Sequence, residues 1–82
     1  MDYNQIVAAN IRRIRRKKKL SQETVAYDSG LSPQHLSKIE RCASSPRVDT
    51  IVRIAEALDV SPAEFFNAAD IESLVYIYTD ID

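Results

Sequence analysis

The sequence predicts an all-α fold organised around a helix-turn-helix, on three observations. Residues 21–40, SQETVAYDSGLSPQHLSKIE, read as two short helices joined by a sharp corner. Later apolar residues recur at helical spacing, as Ile51, Ile54, Ala55 and Leu58 do. Two Ser-Pro pairs, Ser32-Pro33 and Ser61-Pro62, combine a residue that caps orphan N–H groups with one suited to the first helical position, where no donor is needed.

The first helix starts at Asp2, which can cap it, with Gln5 three residues on to complete a capping box. Tyr3, Val7, Ile11 and Ile14 then keep one face apolar to about Lys18. Arg15 stands at the edge of that face and wants a partner. Ser21 caps the second helix, Gln22 begins it, and Val25 and Ala26 supply its inward side. Gly30 can take the positive φ of the corner, and Leu31 drops into the core behind it.

In the third helix Gln34, Ser37, Lys38 and Arg41 fall at i, i+3, i+4 and i+7 and form one polar stripe, with Leu36 and Ile39 opposite. Two readings of the stripe stand side by side: a solvated outer face, as surface helices ordinarily have, or donors at a spacing that a DNA major groove admits. Glu40 sits beside Leu36 on the inner side, a second charge in need of a partner. After the loop RCASSP, a fourth helix is predicted from about Val48 to Leu58 and a fifth from Ser61, where Ser61 and Glu64 form another capping box. Phe65 and Phe66 follow; one should close the core and the other is left for a partner subunit.

These residues carry a resemblance. From about Ile11 to Phe66, LSQETVA, SGLSPQHLSKIER, Pro46 and IAEALDVSPAEFF resemble the Cro/cI-type helix-turn-helix proteins, the XRE family of bacterial and phage regulators. The resemblance implies a five-helix, lambda-repressor-like DNA-binding domain over residues 1–66, its helix-turn-helix at 21–41, and leaves residues 67–82 outside it as a C-terminal extension. It further implies a homodimer that represses or regulates transcription from double-stranded DNA, with the third helix in the major groove. Residue by residue it places Gln34 and Lys38 against bases, with Ser32, Pro33 and Ser37 close by. Gln suits an adenine edge, Lys a guanine, and Pro33 only an apolar contact. Ser21, Gln22, Arg41 and Arg47 resemble backbone-contacting positions, and Arg47 is also within reach of a minor groove. Many relatives pair an arginine at the Arg15 position with a glutamate at the Glu40 position. Two departures stand out: relatives commonly have Gly where Lys19 and Cys42 stand. Small relatives also act as restriction-modification controllers or as antitoxins that bind a toxin protein, and an adaptor on the same fold is a further alternative.

Composition sets the outer limits. Eighty-two residues, with one Gly, three Pro and no repeat or Gly/Ser linker, allow one domain with an economical core. No apolar run approaches the roughly 20 residues of a membrane span, and the N-terminus lacks a signal core, so the expectation is a cytoplasmic protein with no membrane partner. The net charge of −1 hides an asymmetry. Residues 1–53 hold eleven Lys and Arg against five acids (+6), while residues 54–82 hold seven acids and no Lys or Arg (−7). One surface can therefore attract phosphate while another faces away. The run Arg12-Arg13-Ile14-Arg15-Arg16-Lys17-Lys18-Lys19 serves either the helix dipole or phosphate.

Chemistry is otherwise sparse. His35, the single histidine, flanks the polar stripe, where a phosphate contact or plain exposure is expected rather than proton transfer. Cys42 is the only cysteine, so no intramolecular disulfide forms; it is either a small buried hydrophobe or a redox sensor. No metal, cofactor or enzyme activity is expected. In the extension, Ile71, Leu74, Val75 and Tyr78 match helical spacing, although SLVYIYT is also rich in strand formers. Leu74, Tyr76 and Tyr78 join Phe65 and Phe66 as candidate dimer contacts, the alternative being a tail that folds back on its own subunit.

Overall fold

The structure, a computed structural model, describes residues 2–68. Four α-helices follow one another, α1 (Tyr3–Lys17), α2 (Gln22–Ser29), α3 (Pro33–Glu40) and α4 (Val48–Leu58), and a 3-10 helix, Pro62–Phe66, closes the series. The expected fifth helix is thus a 3-10 helix of five residues rather than an α-helix. Ser61 starts it, accepting from the Ala63 N–H at 3.3 Å, and its end is held from outside. Asn10 Nδ2 on α1 donates to the carbonyls of Phe65 and Asn67, both at 2.9 Å, so those carbonyls need no further helical turn.

The helix starts follow the serine and aspartate caps. Ser21 Oγ accepts from the Thr24 N–H at 3.0 Å and Ser32 Oγ from the His35 N–H at 3.1 Å. Asp2 departs from the expected box, since its carboxylate takes the Asn4 N–H at 2.9 Å rather than that of Gln5.

The helix ends share one geometry. Each α-helix stops at a left-handed residue: Lys19, Gly30, Cys42 and Asp59, with φ of 59°, 72°, 61° and 57°. The N–H that follows reaches the carbonyl five residues back, Leu20 to Arg15 at 3.1 Å, Leu31 to Ala26 at 2.8 Å, Ala43 to Lys38 at 2.8 Å and Val60 to Ala55 at 3.0 Å. This six-to-one bond satisfies an orphan carbonyl, and glycine is its usual residue because a Cβ costs energy there. Only one of the four positions has glycine. Lys19→Gly and Cys42→Gly should therefore each raise stability by about 0.5–1 kcal/mol, the relief of strain outweighing the greater freedom of the unfolded chain. Thermal melts reading an unchanged or lower Tm for both would mean that the surrounding loops, not the missing Cβ, set those conformations.

Val7, Ile11, Ile14, Val25, Ala26, Leu36, Ile39, Ile51, Ile54, Ala55, Leu58 and Phe65 form the main core, with Leu20 and Leu31 packed at its margin. Ile6 and Ala9 form a smaller cluster with Ala68 against it, so the packed unit runs two residues past Phe66. Tyr3 does not join the apolar face assigned to it. It is exposed at the open end of α1, its ring 6.5 Å from that of Phe66. Phe65, a candidate dimer contact, is instead fully buried, whereas Phe66 remains 44% exposed. Adjacent residues of a helix with three residues per turn point about a third of a turn apart, so only one of the two can face the core. Leu74, Tyr76 and Tyr78 lie outside the described residues. Cys42 is half-buried, short of the buried thiol expected, because the left-handed turn carries it toward the loop.

Candidate nucleic-acid interface

α3 presents two unlike faces. Leu36 and Ile39 are fully buried, which fixes the helix on the core, and Pro33, Gln34, Lys38 and Arg41 are exposed on the other side. Ser37 is half-buried and accepts a hydrogen bond from Arg41 Nε at 3.3 Å. Pro33, Gln34, Ser37, Lys38 and Arg41 together line one shallow depression. Ser32, also exposed, uses its oxygen for the cap. His35 lies half-buried beside the stripe.

Behind this face the helix is tied down by charge. Arg15 Nε donates to Glu40 Oε2 at 2.7 Å and Nη2 to Oε1 at 3.0 Å, a two-pronged pair in which both side chains are over 90% buried. Arg15 Nη1 donates to the Leu20 carbonyl at 2.8 Å, and Gln22 Nε2 gives Glu40 Oε1 a further bond at 3.0 Å. The α1, α2 and α3 helices therefore meet at one carboxylate. Gln22, assigned to the DNA backbone from the sequence, has its amide engaged inside this network, although a second Nε2 hydrogen remains.

The basic run divides. Arg15 is consumed by Glu40, Arg12, Arg13 and Arg16 are half-buried, and only Lys17, Lys18 and Lys19 are fully displayed. Arg15, Arg16 and Lys17 occupy the last turn of α1, where cations oppose the negative end of the helix dipole.

Arg47 stands at the N-cap of α4, makes no side-chain cap bond, and is largely exposed. Its Nε is 3.4 Å from Asp49 Oδ1, while Arg53 Nη2 donates to Asp49 Oδ2 at 3.3 Å. Partial desolvation raises the Asp49 carboxyl, but the charge of Arg47, the hydrogen bond and charge of Arg53, and the Thr50 N–H outweigh it and hold the carboxyl below its ordinary range. Asp49 was not singled out from the sequence. The i,i+4 spacing of Asp49 and Arg53 was the available signal. Asn10 was also missed, since the run AANI around it looks like plain core.

Among the described residues no helix is long and apolar enough to cross a membrane. A helix-turn-helix family model matches residues 11–65. The chain is 43% identical over 70 residues to the HTH-type transcriptional regulator y4dJ of Sinorhizobium fredii (strain NBRC 101917 / NGR234), a match covering 85% of this chain and 91% of that one. Over 61 residues it is 36% identical to the control protein C.SmaI of Serratia marcescens, covering 74% and 73% of the two chains. Among solved structures it is similar to the restriction-modification controller protein C.AhdI of Aeromonas hydrophila, with a TM-score of 0.75 and 35% identity over 77% of this chain and 96% of that one.

Proposed function

The chain belongs to the helix-turn-helix family of DNA-binding transcriptional regulators, and from that premise we propose that it acts as a homodimer that reads an operator through α3 and represses or autoregulates transcription. The observation that carries this reading is the outward stripe of α3, a row of exposed polar side chains on a helix whose other face is locked into the core. Gln34 and Lys38 read base edges, with Ser32, Pro33 and Ser37 beside them. Ser21, Gln22, His35, Arg41 and Arg47 meet the sugar-phosphate backbone and set the register without reading sequence. Phe66, exposed beside Tyr3, and the extension after it supply the subunit contact.

A narrower reading has its own support. Likeness to the restriction-modification controller protein C.AhdI favours control of a restriction-modification system over control of an unrelated operon. Selection of bound fragments from random DNA tests the general proposal. The expected product is a two-part site with related halves about 34 Å apart, bound by a species that sediments as a dimer. If no DNA is retained even at low salt, the base-reading role falls, and a protein partner, such as a toxin, takes its place.

A further inference from the structure

We propose that Asp49 is a restraint on backbone contact: it holds Arg47 and Arg53 in the free protein and so limits the sequence-independent pull of the α4 start on DNA. The inference rests on the backbone-contacting role of Arg47 proposed above.

The geometry is a carboxylate shared by two guanidinium groups, Arg47 at 3.4 Å and Arg53 at 3.3 Å, all three side chains being about half exposed or more. In water such pairs are weak. They are easily exchanged, and that makes them suited to competition rather than to stability. A DNA phosphate approaching Arg47 must displace the Asp49 carboxylate or share the guanidinium donors with it. It also meets the Asp49 charge within a few ångströms, well inside the Debye length of about 8 Å at physiological salt. Both effects fall equally on every DNA sequence, because phosphates are the same everywhere. The side chains of Gln34 and Lys38 on α3 lie outside this cluster and are not restrained by it. Asp49 thus lowers affinity for selected and scrambled DNA alike and leaves base reading intact. With its pKa held below the ordinary carboxylate range, Asp49 stays charged throughout the neutral range.

Asp49→Asn keeps the shape and removes the charge. In the full-length dimer it should raise affinity for scrambled DNA at low salt about 3- to 10-fold, with two copies contributing, and make log affinity steeper in log salt. Affinity for the selected site should rise by a similar factor. The same substitution in an Arg47→Ala, Arg53→Ala background should give much less than the single change, since the charge then has no guanidinium to restrain. A structural role for Asp49 as a first-turn acid would lower Tm and would not tighten scrambled DNA. An unchanged or weaker affinity of Asp49→Asn for scrambled DNA overturns the proposal, as does a gain of equal size in the background lacking both arginines. Arg47→Ala alone separates this failure from failure of the underlying reading. If Arg47→Ala weakens scrambled DNA and Asp49→Asn does nothing, only the restraint is wrong. If Arg47→Ala does nothing, the backbone role of Arg47 and the restraint fall together.

Discussion

Arg15→Ala and Glu40→Ala should each destabilise the fold by about 3–5 kcal/mol, because each leaves the other charge buried without its partner. The expectation comes from burial and geometry together. The Glu40 residue is 2% exposed and Arg15 7%, and the carboxylate accepts three side-chain hydrogen bonds, two from Arg15 and one from Gln22. Loss of Arg15 also frees the Leu20 carbonyl that its Nη1 satisfies, next to the left-handed turn at Lys19. For a chain of this size the loss corresponds to a fall in Tm of about 12 °C or more. The double mutant should cost well under the sum of the singles, since once both charges are gone neither is left buried alone. Arg15→Met with Glu40→Leu goes further: with both groups replaced by apolar ones of similar volume, most of the lost stability should return. Additive losses in the double alanine variant, measured by urea unfolding, would mean that the two residues support the fold separately. Gln22→Ala should be milder, about 1–2 kcal/mol, because the carboxylate keeps its two-pronged partner.

Much of this arrangement was legible before the structure. Ser21, Ser32 and Ser61 announce helix starts because a hydroxyl cap is a local interaction, decided by residues two or three apart. Arg15 and Glu40 were legible as charges on otherwise apolar faces, and the family resemblance named the pairing. The helix ends were harder. Lys19, Cys42 and Asp59 adopt a conformation that their side chains disfavour, and what holds them there is tertiary packing. The two departures from glycine, at Lys19 and Cys42, pointed to two of the three; Asp59 gave no such hint. The short last helix is 3-10 rather than α, a distinction hidden from local sequence because the Asn10 donor at its end lies 55 residues away from Phe65. On the interface, spacing separated the stripe of α3 from its buried face. It could not disclose that Gln22 leans inward to Glu40 or that Asp49 sits between two arginines, since both facts depend on how neighbouring side chains settle.

The largest expected effect on DNA binding belongs to Gln34 and Lys38. Both are exposed on the outward stripe, and neither is needed to hold α3, which Leu36, Ile39 and Glu40 fasten from behind. Gln34→Ala or Lys38→Ala should therefore leave Tm nearly unchanged while costing about 1–3 kcal/mol per half-site on the selected operator. A homodimer carries each change twice, so the whole complex stands to lose about 2–6 kcal/mol. The loss from Gln34→Ala should be confined to the selected site, because an amide attracts phosphate weakly and its value lies in matching one base edge. It should also relax the choice of base at one position in each half. Lys38→Ala mixes two effects: part of its loss should appear on scrambled DNA as well, since its charge also serves the phosphates, and log affinity should become less steep in log salt. Arg47→Ala marks the opposite limit, weakening selected and scrambled DNA by similar factors and lowering the salt slope by about one unit for each phosphate that the arginine no longer neutralises. Titrations of the three variants on both DNAs at several salt concentrations resolve these patterns. Should Gln34→Ala leave the ratio of specific to non-specific affinity where it was, α3 does not read sequence through that side chain, and the stripe is a solvated face.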